Sequence, residues 1–177
     1  AGRQNQSRFA SIQAEYLESL PPELRGATDL LHEGRLFQAE QVCRRFLKNN
    51  KTHIEGMRLL AEIGIRLKVY DDAEFLLESA VEYAPDHLGA RMDYLKILNR
   101  KSKFEKAYEQ AKVLNRAQPE NPAFQLSLAS ALVGLGRFEE GIAKYQTSLE
   151  KSPNKPGVYV MLGHAQKAVG ALDDAIA

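Results

Sequence analysis

Three pairs of neighbouring carboxylates, Asp71-Asp72, Glu139-Glu140 and Asp173-Asp174, are the residues whose spacing could support general acid–base chemistry, since adjacent carboxyls can divide a proton between them. All three pairs occupy the same two positions of a recurring segment, where a helix is expected to open. Negative charge at that point is favoured by unpaired N–H groups and the helix dipole by about 0.3–1 kcal/mol. They therefore read as helix starts and not as catalytic groups. The histidines, His32, His53, His87 and His164, lie far apart, and none has a second ligand at a spacing typical of metal sites. His53 and His87 fall at equivalent points between segments, where a solvated turn residue is expected, while His32 and His164 are candidates for a binding face. Cys43 stands where other segments carry Leu77, Ala111 and Tyr145. A reactive thiol needs an electropositive, accessible setting that Arg44 and Arg45 alone do not supply, so a buried small hydrophobe is expected. Gly134-Leu135-Gly136 lacks a third glycine and a preceding strand, which makes it a turn between helices rather than a phosphate loop. No catalytic residue, metal ligand or cofactor is expected in this chain.

The elements that carry these residues follow from periodicity. Pro85, Pro119 and Pro153 are spaced 34 residues apart. Small residues keep the same step at Ala27, Ala61, Ala129 and Gly163, with Leu95 completing the series, and again at Ala39, Ala73, Ala107, Gly141 and Ala175. A large apolar residue recurs at Leu36, Tyr70, Phe104, Phe138 and Leu172. Within one period, Phe124, Leu128, Ala131, Leu132 and Leu135 have helical spacing until Gly136 interrupts them, and Phe138, Ile142, Tyr145 and Leu149 form a second run closed by Pro153. Each period is thus expected to be a helical hairpin, with the small residues permitting close approach of its helices.

A 34-residue helix-turn-helix with these landmarks resembles the tetratricopeptide repeat. The resemblance implies an all-α, right-handed superhelical solenoid. Its units are residues 20–53, which are divergent, then 54–87, 88–121, 122–155 and a truncated 156–177, preceded by an N-terminal helix within 1–19 as a cap. The signature Trp is replaced by Met57, Arg91, Gln125 and Tyr159, and Lys51 stands where later units have proline. The fifth unit is expected to break off a few residues into its second helix, with Leu172 to Ile176 apolar and unfinished, as in a fragment of a longer protein.

Composition narrows the partner. Lys plus Arg total 24 against 23 Asp plus Glu, a net charge of +1, so no global field draws a polyanion or a membrane surface. Nucleic acid is not expected, and a helical-repeat RNA binder would need a more basic balance. The longest uncharged run, Asn121 to Gly136, is too short to span a bilayer. One cysteine and no apolar signal core in the first twenty residues favour a cytoplasmic setting.

First helices of successive tetratricopeptide units line a groove, so the resemblance places Arg58, Glu62, Arg66, Met92, Lys96, Asn99, Arg100, His164 and Lys167 there. Four of these are Arg or Lys against Glu62 across the central units, which suggests a protein or peptide ligand carrying carboxylates, with a solvated face as the alternative. The chaperone-tail clamp of some such domains is not matched, because its positions hold Leu24, Thr28, Leu59, Gly89 and Asp93. Segments including His32-Glu33-Gly34-Arg35-Leu36, Arg58-Leu59-Leu60-Ala61-Glu62 and Asp71-Asp72-Ala73-Glu74 are similar to the N-terminal repeats of bacterial proteins that join tetratricopeptide repeats to a C-terminal sulfotransferase domain. That resemblance implies an enzyme beyond residue 177 for which this segment recruits substrate. The rival reading is a stand-alone interaction scaffold. Oligomeric state is not readable from the sequence.

Overall fold

The 34-residue spacing of small and large apolar residues is realised as helical hairpins. The structure, a computed structural model, describes residue 11, residues 14–151 and residues 153–176. Residues 14–19 are helical. The rest of the expected N-terminal cap lies outside the described residues. Among the described residues nine further helices follow: α1 (Pro22–His32), α2 (Leu36–Asn49), α3 (Ile54–Arg66), α4 (Tyr70–Tyr83), α5 (Leu88–Arg100), α6 (Phe104–Ala117), α7 (Pro122–Gly134), α8 (Phe138–Lys151) and α9 (Pro156–Ile176). No strand occurs among the described residues.

The helices fall into two compact units, Ala1–Asp86 and His87–Ala177. In the first, α1 packs on α2, α2 on α3 and α3 on α4, and the first helices α1 and α3 also touch. Its core is Leu24, Ala27, Leu31, Ala39, Cys43, Leu60 and Ile63, with Phe46 and Leu47 packed against it. In the second, successive helices α5 to α9 pack in order, and the first helices α5, α7 and α9 contact one another in turn. Buried Leu98, Leu114, Leu132 and Tyr145 fill this unit. The alanines of the spacing argument, Ala27, Ala61, Ala129, Ala39, Ala73 and Ala107, are fully buried at 0% exposure, as close helix packing requires. At Gly141 the approach is closer still: an added Cβ would lie 2.5 Å from Val133 Cγ2 and 3.1 Å from the Ala129 carbonyl oxygen.

Both helix ends within a hairpin are specified by repeated hydrogen bonds. At the C-terminus of each first helix, Gly34, Lys68, Ser102 and Gly136 adopt positive φ. The residue after each donates its N–H back across the turn, Arg35 to Leu30, Val69 to Gly64, Lys103 to Leu98 and Arg137 to Leu132, at 2.8–2.9 Å. This is a Schellman turn used four times. At the opposite end, His53 Nδ1 accepts from the Gly56 N–H and His87 Nδ1 from the Ala90 N–H, both at 3.1 Å, and Asn121 Oδ1 accepts from the Ala123 N–H at 3.0 Å. His53 and His87 are half-buried helix caps and not solvated turn residues, a role that histidine fills here because an unprotonated ring nitrogen is an acceptor.

The expected hairpin at the end of the chain differs. Instead of stopping near Gly170, α9 runs unbroken to Ile176, so Asp173-Asp174 lie inside a helix rather than opening one. Gly170 takes no positive φ, and without that turn the helical hydrogen bonding continues. Asp71-Asp72 and Glu139-Glu140 do occupy the first turns of α4 and α8.

Candidate functional site

The candidate residues sit on first helices: Arg58, Glu62 and Arg66 on α3 in the first unit, and Met92, Lys96, Asn99, Arg100, His164 and Lys167 on α5 and α9 in the second. The α3 charges are largely matched by one another. Arg58 Nη1 donates to both carboxylate oxygens of Glu55, at 2.8 and 3.0 Å, and the Tyr16 hydroxyl donates to the same carboxylate. Arg66 Nη2 donates to Glu62 at 3.1 Å, while its Nη1 reaches the Leu31 carbonyl at 3.3 Å, at the end of α1. Arg66 is therefore partly a structural residue, satisfying a carbonyl at a neighbouring helix terminus. Glu55 pairs on the same helix face one turn before Arg58, an i, i+3 relation visible in the sequence once Arg58 is placed.

In the second unit, Lys96 pairs with Asp93 at 2.9 Å. Arg100, His164 and Lys167 are exposed, and Met92 is half-buried with its sulfur 3.5 Å from the Ser127 hydroxyl on α7. The first helices α5, α7 and α9 enclose a hollow of about 330 Å³ lined by Leu95, Lys96, Asn99, Leu126, Ser127, Ser130, Lys155, Gly157, Val158 and Met161. Lys96 and Asn99 of the sequence-derived set belong to it. Lys155, Ser130, Val158 and Met161 were missed. Lys155 precedes α9 at the position held by the capping residues His53, His87 and Asn121, and that shared register was the available signal. Asn99 Oδ1 is buried without a hydrogen-bond partner among the described residues. Ser130 Oγ lies 2.8 Å from the Tyr145 hydroxyl, and burial pushes the Tyr145 phenol above its ordinary pKa against the opposing effect of that hydrogen bond.

Other reactive types are accounted for structurally. Cys43 is fully buried, and desolvation pushes its thiol up to about 12, so it is neutral at physiological pH. Glu140 takes two hydrogen bonds from Arg137 at 2.7 Å, which hold its carboxyl below the ordinary range. Arg91, in the position of the signature Trp, is buried and donates to Gln110 on α6, whereas Tyr159 in the same register is exposed. Among the described residues no His, Cys, Asp and Glu cluster is arranged to hold a metal, and no helix is long and apolar enough to cross a membrane.

A hairpin repeated on one set of turns and small-residue contacts defines a class of helical-repeat protein, and comparison gives it a name. Residues 65–132 match the family model described as tetratricopeptide repeat. No curated protein sequence matches the chain. Among solved structures, MamA (residue 41 to its end) from Desulfovibrio magneticus RS-1 is 16% identical with a TM-score of 0.76, covering 89% of this chain and 92% of that one. A tetratricopeptide repeat protein from Parabacteroides merdae ATCC 43184 is 14% identical with a TM-score of 0.78, over 87% of this chain and 60% of that one. YrrB, described as a TPR protein with an unusual peptide-binding site, is 13% identical with a TM-score of 0.72, over 92% of this chain and 84% of that one. The fold is that of the tetratricopeptide-repeat solenoids, and residues 65–132 carry the family's sequence pattern.

Proposed function

We propose that this segment is a non-catalytic recognition module that binds an extended, carboxylate-bearing protein or peptide along its first helices, through Arg58, Glu62, Arg66, Met92, Lys96, Asn99, Arg100, His164 and Lys167. The observation that carries this reading is the contact of first helix with first helix inside each unit, α1 with α3 and α7 with both α5 and α9, which sets the first helices of successive repeats side by side within that unit. The peptide-binding site named for YrrB supports it by likeness of fold. The ion pairs on this face do not oppose it. Exposed i, i+3 and i, i+4 pairs are worth only about 0.2–1 kcal/mol, so an incoming carboxylate can exchange with Glu62 or Asp93 at small cost. A cytoplasmic setting belongs to the same proposal and rests on composition, whereas recruitment for a sulfotransferase domain beyond residue 177 is the alternative to it and rests on segment resemblance alone.

The test is selection from a random peptide library on the immobilised 177-residue chain, followed by affinity measurement for the enriched peptides. Acidic peptides are expected to dominate, and the double variant Arg66→Glu, Arg100→Glu is expected to weaken their binding about tenfold or more. Exposed substitutions usually change stability by under about 0.5 kcal/mol, but Arg66→Glu also removes the bond to the Leu31 carbonyl, so the double variant should melt somewhat below the parent while keeping its helical circular-dichroism spectrum. Unchanged affinity in the double variant overturns the assignment of these residues.

A further inference from the structure

We propose that the hollow between α5, α7 and α9 is an anchor pocket for one aliphatic side chain of an acidic peptide segment, with Lys155 receiving the carboxylate beside that side chain. This deepens the peptide-binding reading and rests on it. At about 330 Å³ the hollow stands at the low end of the roughly 300–1,000 Å³ usual for small-molecule sites. The hollow is open to solvent and has room for an aliphatic side chain together with the peptide backbone that carries it. Its wall is apolar where it is most enclosed, with Leu95 and Val158 buried and Leu126 half-buried, and Met161 adds an adaptable thioether at an exposed position.

Charge selects the flanking residue. The ionisable side chains lining the hollow are two lysines, with no acidic residue among them. Lys96 is bound to Asp93, but Lys155 is half-buried and makes no ion pair among the described residues. A ligand carboxylate would find there an ammonium not already matched by an acid, to which it can make a charge-assisted hydrogen bond. An acidic ligand with a small polar residue in place of the aliphatic one would satisfy the lysine and leave the apolar wall wet.

The experiment uses the full chain and three fluorescein-labelled probes: a short peptide with leucine between two aspartates, the same peptide with serine for leucine, and one with lysines for the aspartates. Burial of one leucine side chain predicts that the first binds about tenfold or more tightly than the second. The third should bind more weakly than the first, and Lys155→Glu should weaken the first about tenfold while melting like the parent. Amide chemical shifts of Leu126 and Val158 should move on titration. Equal binding of the leucine and serine peptides, or unchanged binding by Lys155→Glu, overturns the pocket. Shifts confined to α3 would overturn it too and leave the broader reading standing. Failure of the chain to bind these probes or any library-selected peptide would remove both.

Discussion

The first helix α3 of one unit and the first helices α5, α7 and α9 of the other present opposite solutions on the same scaffold. On α3 the cations are answered by acids one turn away, Arg58 by Glu55 and Arg66 by Glu62, and Arg66 is also engaged by the Leu31 carbonyl. Around the hollow of the second unit the surface is apolar, Lys96 is matched and Lys155 makes no ion pair among the described residues. The positions that build the hairpin scarcely vary between the units: Ala39, Ala73 and Ala107 are all fully buried, and the same Schellman turn ends every first helix from α1 to α7. The backbone template and the face it displays are thus separable, and the recognition proposed above would belong to positions that the template leaves free.

If that separation is real, damage to the template should cost the same in either unit. Ala73→Leu and Ala107→Leu each add bulk at a site with no exposed surface and should each lower stability by about 1–3 kcal/mol through overpacking. Urea unfolding measures both. A cost confined to one variant would show that the units do not share the packing rule. Gly141 sharpens the point, because the second unit has closed the gap further around Val133. Gly141→Ala should be destabilising alone and partly rescued by Val133→Ala, which removes the side-chain clash but leaves the close approach to the Ala129 carbonyl, a coupling that a double-mutant cycle reads directly.

The template was legible in the sequence because it recurs. Pro85, Pro119 and Pro153, together with the alanine series, require only counting, and the four hairpins from α1 to α8 stand where that counting puts them. The face was legible only in part. Arg58 and Lys96 were assigned a shared basic character without Glu55 and Asp93, because pairing depends on rotamers and on which acids fall one turn away. Lys155 was missed because it sits at a helix boundary, where a repeat register suggests capping rather than ligand contact. His53 and His87 were misread for a related reason: histidine is uncommon as a cap, and only the Nδ1 geometry reveals that role. The unbroken α9 shows the limit of periodicity, since Gly170 and Leu172 keep the register while the backbone does not turn.

A smaller difference comes from Cys43, which puts a thiol into the core of the first unit where Ala111 and the phenol of Tyr145 stand in the second. Its thiol is pushed up to about 12 by burial, against an ordinary value near 8.5–9 in the unfolded chain. The group is protonated in both states below the ordinary value, so its contribution to stability is full there and is lost as pH rises from about 9 toward 12. The loss should approach about 1.4 kcal/mol per pH unit within that window. Comparison of pH-dependent unfolding with Cys43→Ala isolates this from the tyrosines and lysines that titrate nearby. Equal slopes for the two proteins would mean that the thiol is not sequestered.

The smallest expected effect tests the turns themselves, since two of the four carry a residue unsuited to its backbone. Lys68 and Ser102 are held at φ values of 63° and 54°, where a side chain costs roughly 1–2 kcal/mol, while Gly34 and Gly136 occupy the equivalent sites at 76° without that cost. Lys68→Gly and Ser102→Gly should therefore stabilise their turns, offset by the greater entropy of glycine in the unfolded chain, for a net gain of about 0.5–1 kcal/mol each. Gly34→Ala and Gly136→Ala should lose about 1 kcal/mol. Added Cβ atoms there meet nothing within 4 Å, so that loss reports backbone strain without a steric contribution. Because Lys68 ends α3 and Ser102 follows α5, the four variants sample both units by one mechanism. Gains at 68 and 102 with matching losses at 34 and 136 would establish a common turn whose strain is tolerated locally. A loss on Lys68→Gly alone would instead place a stabilising role on that lysine side chain and make the first unit's turn part of its distinct charged face.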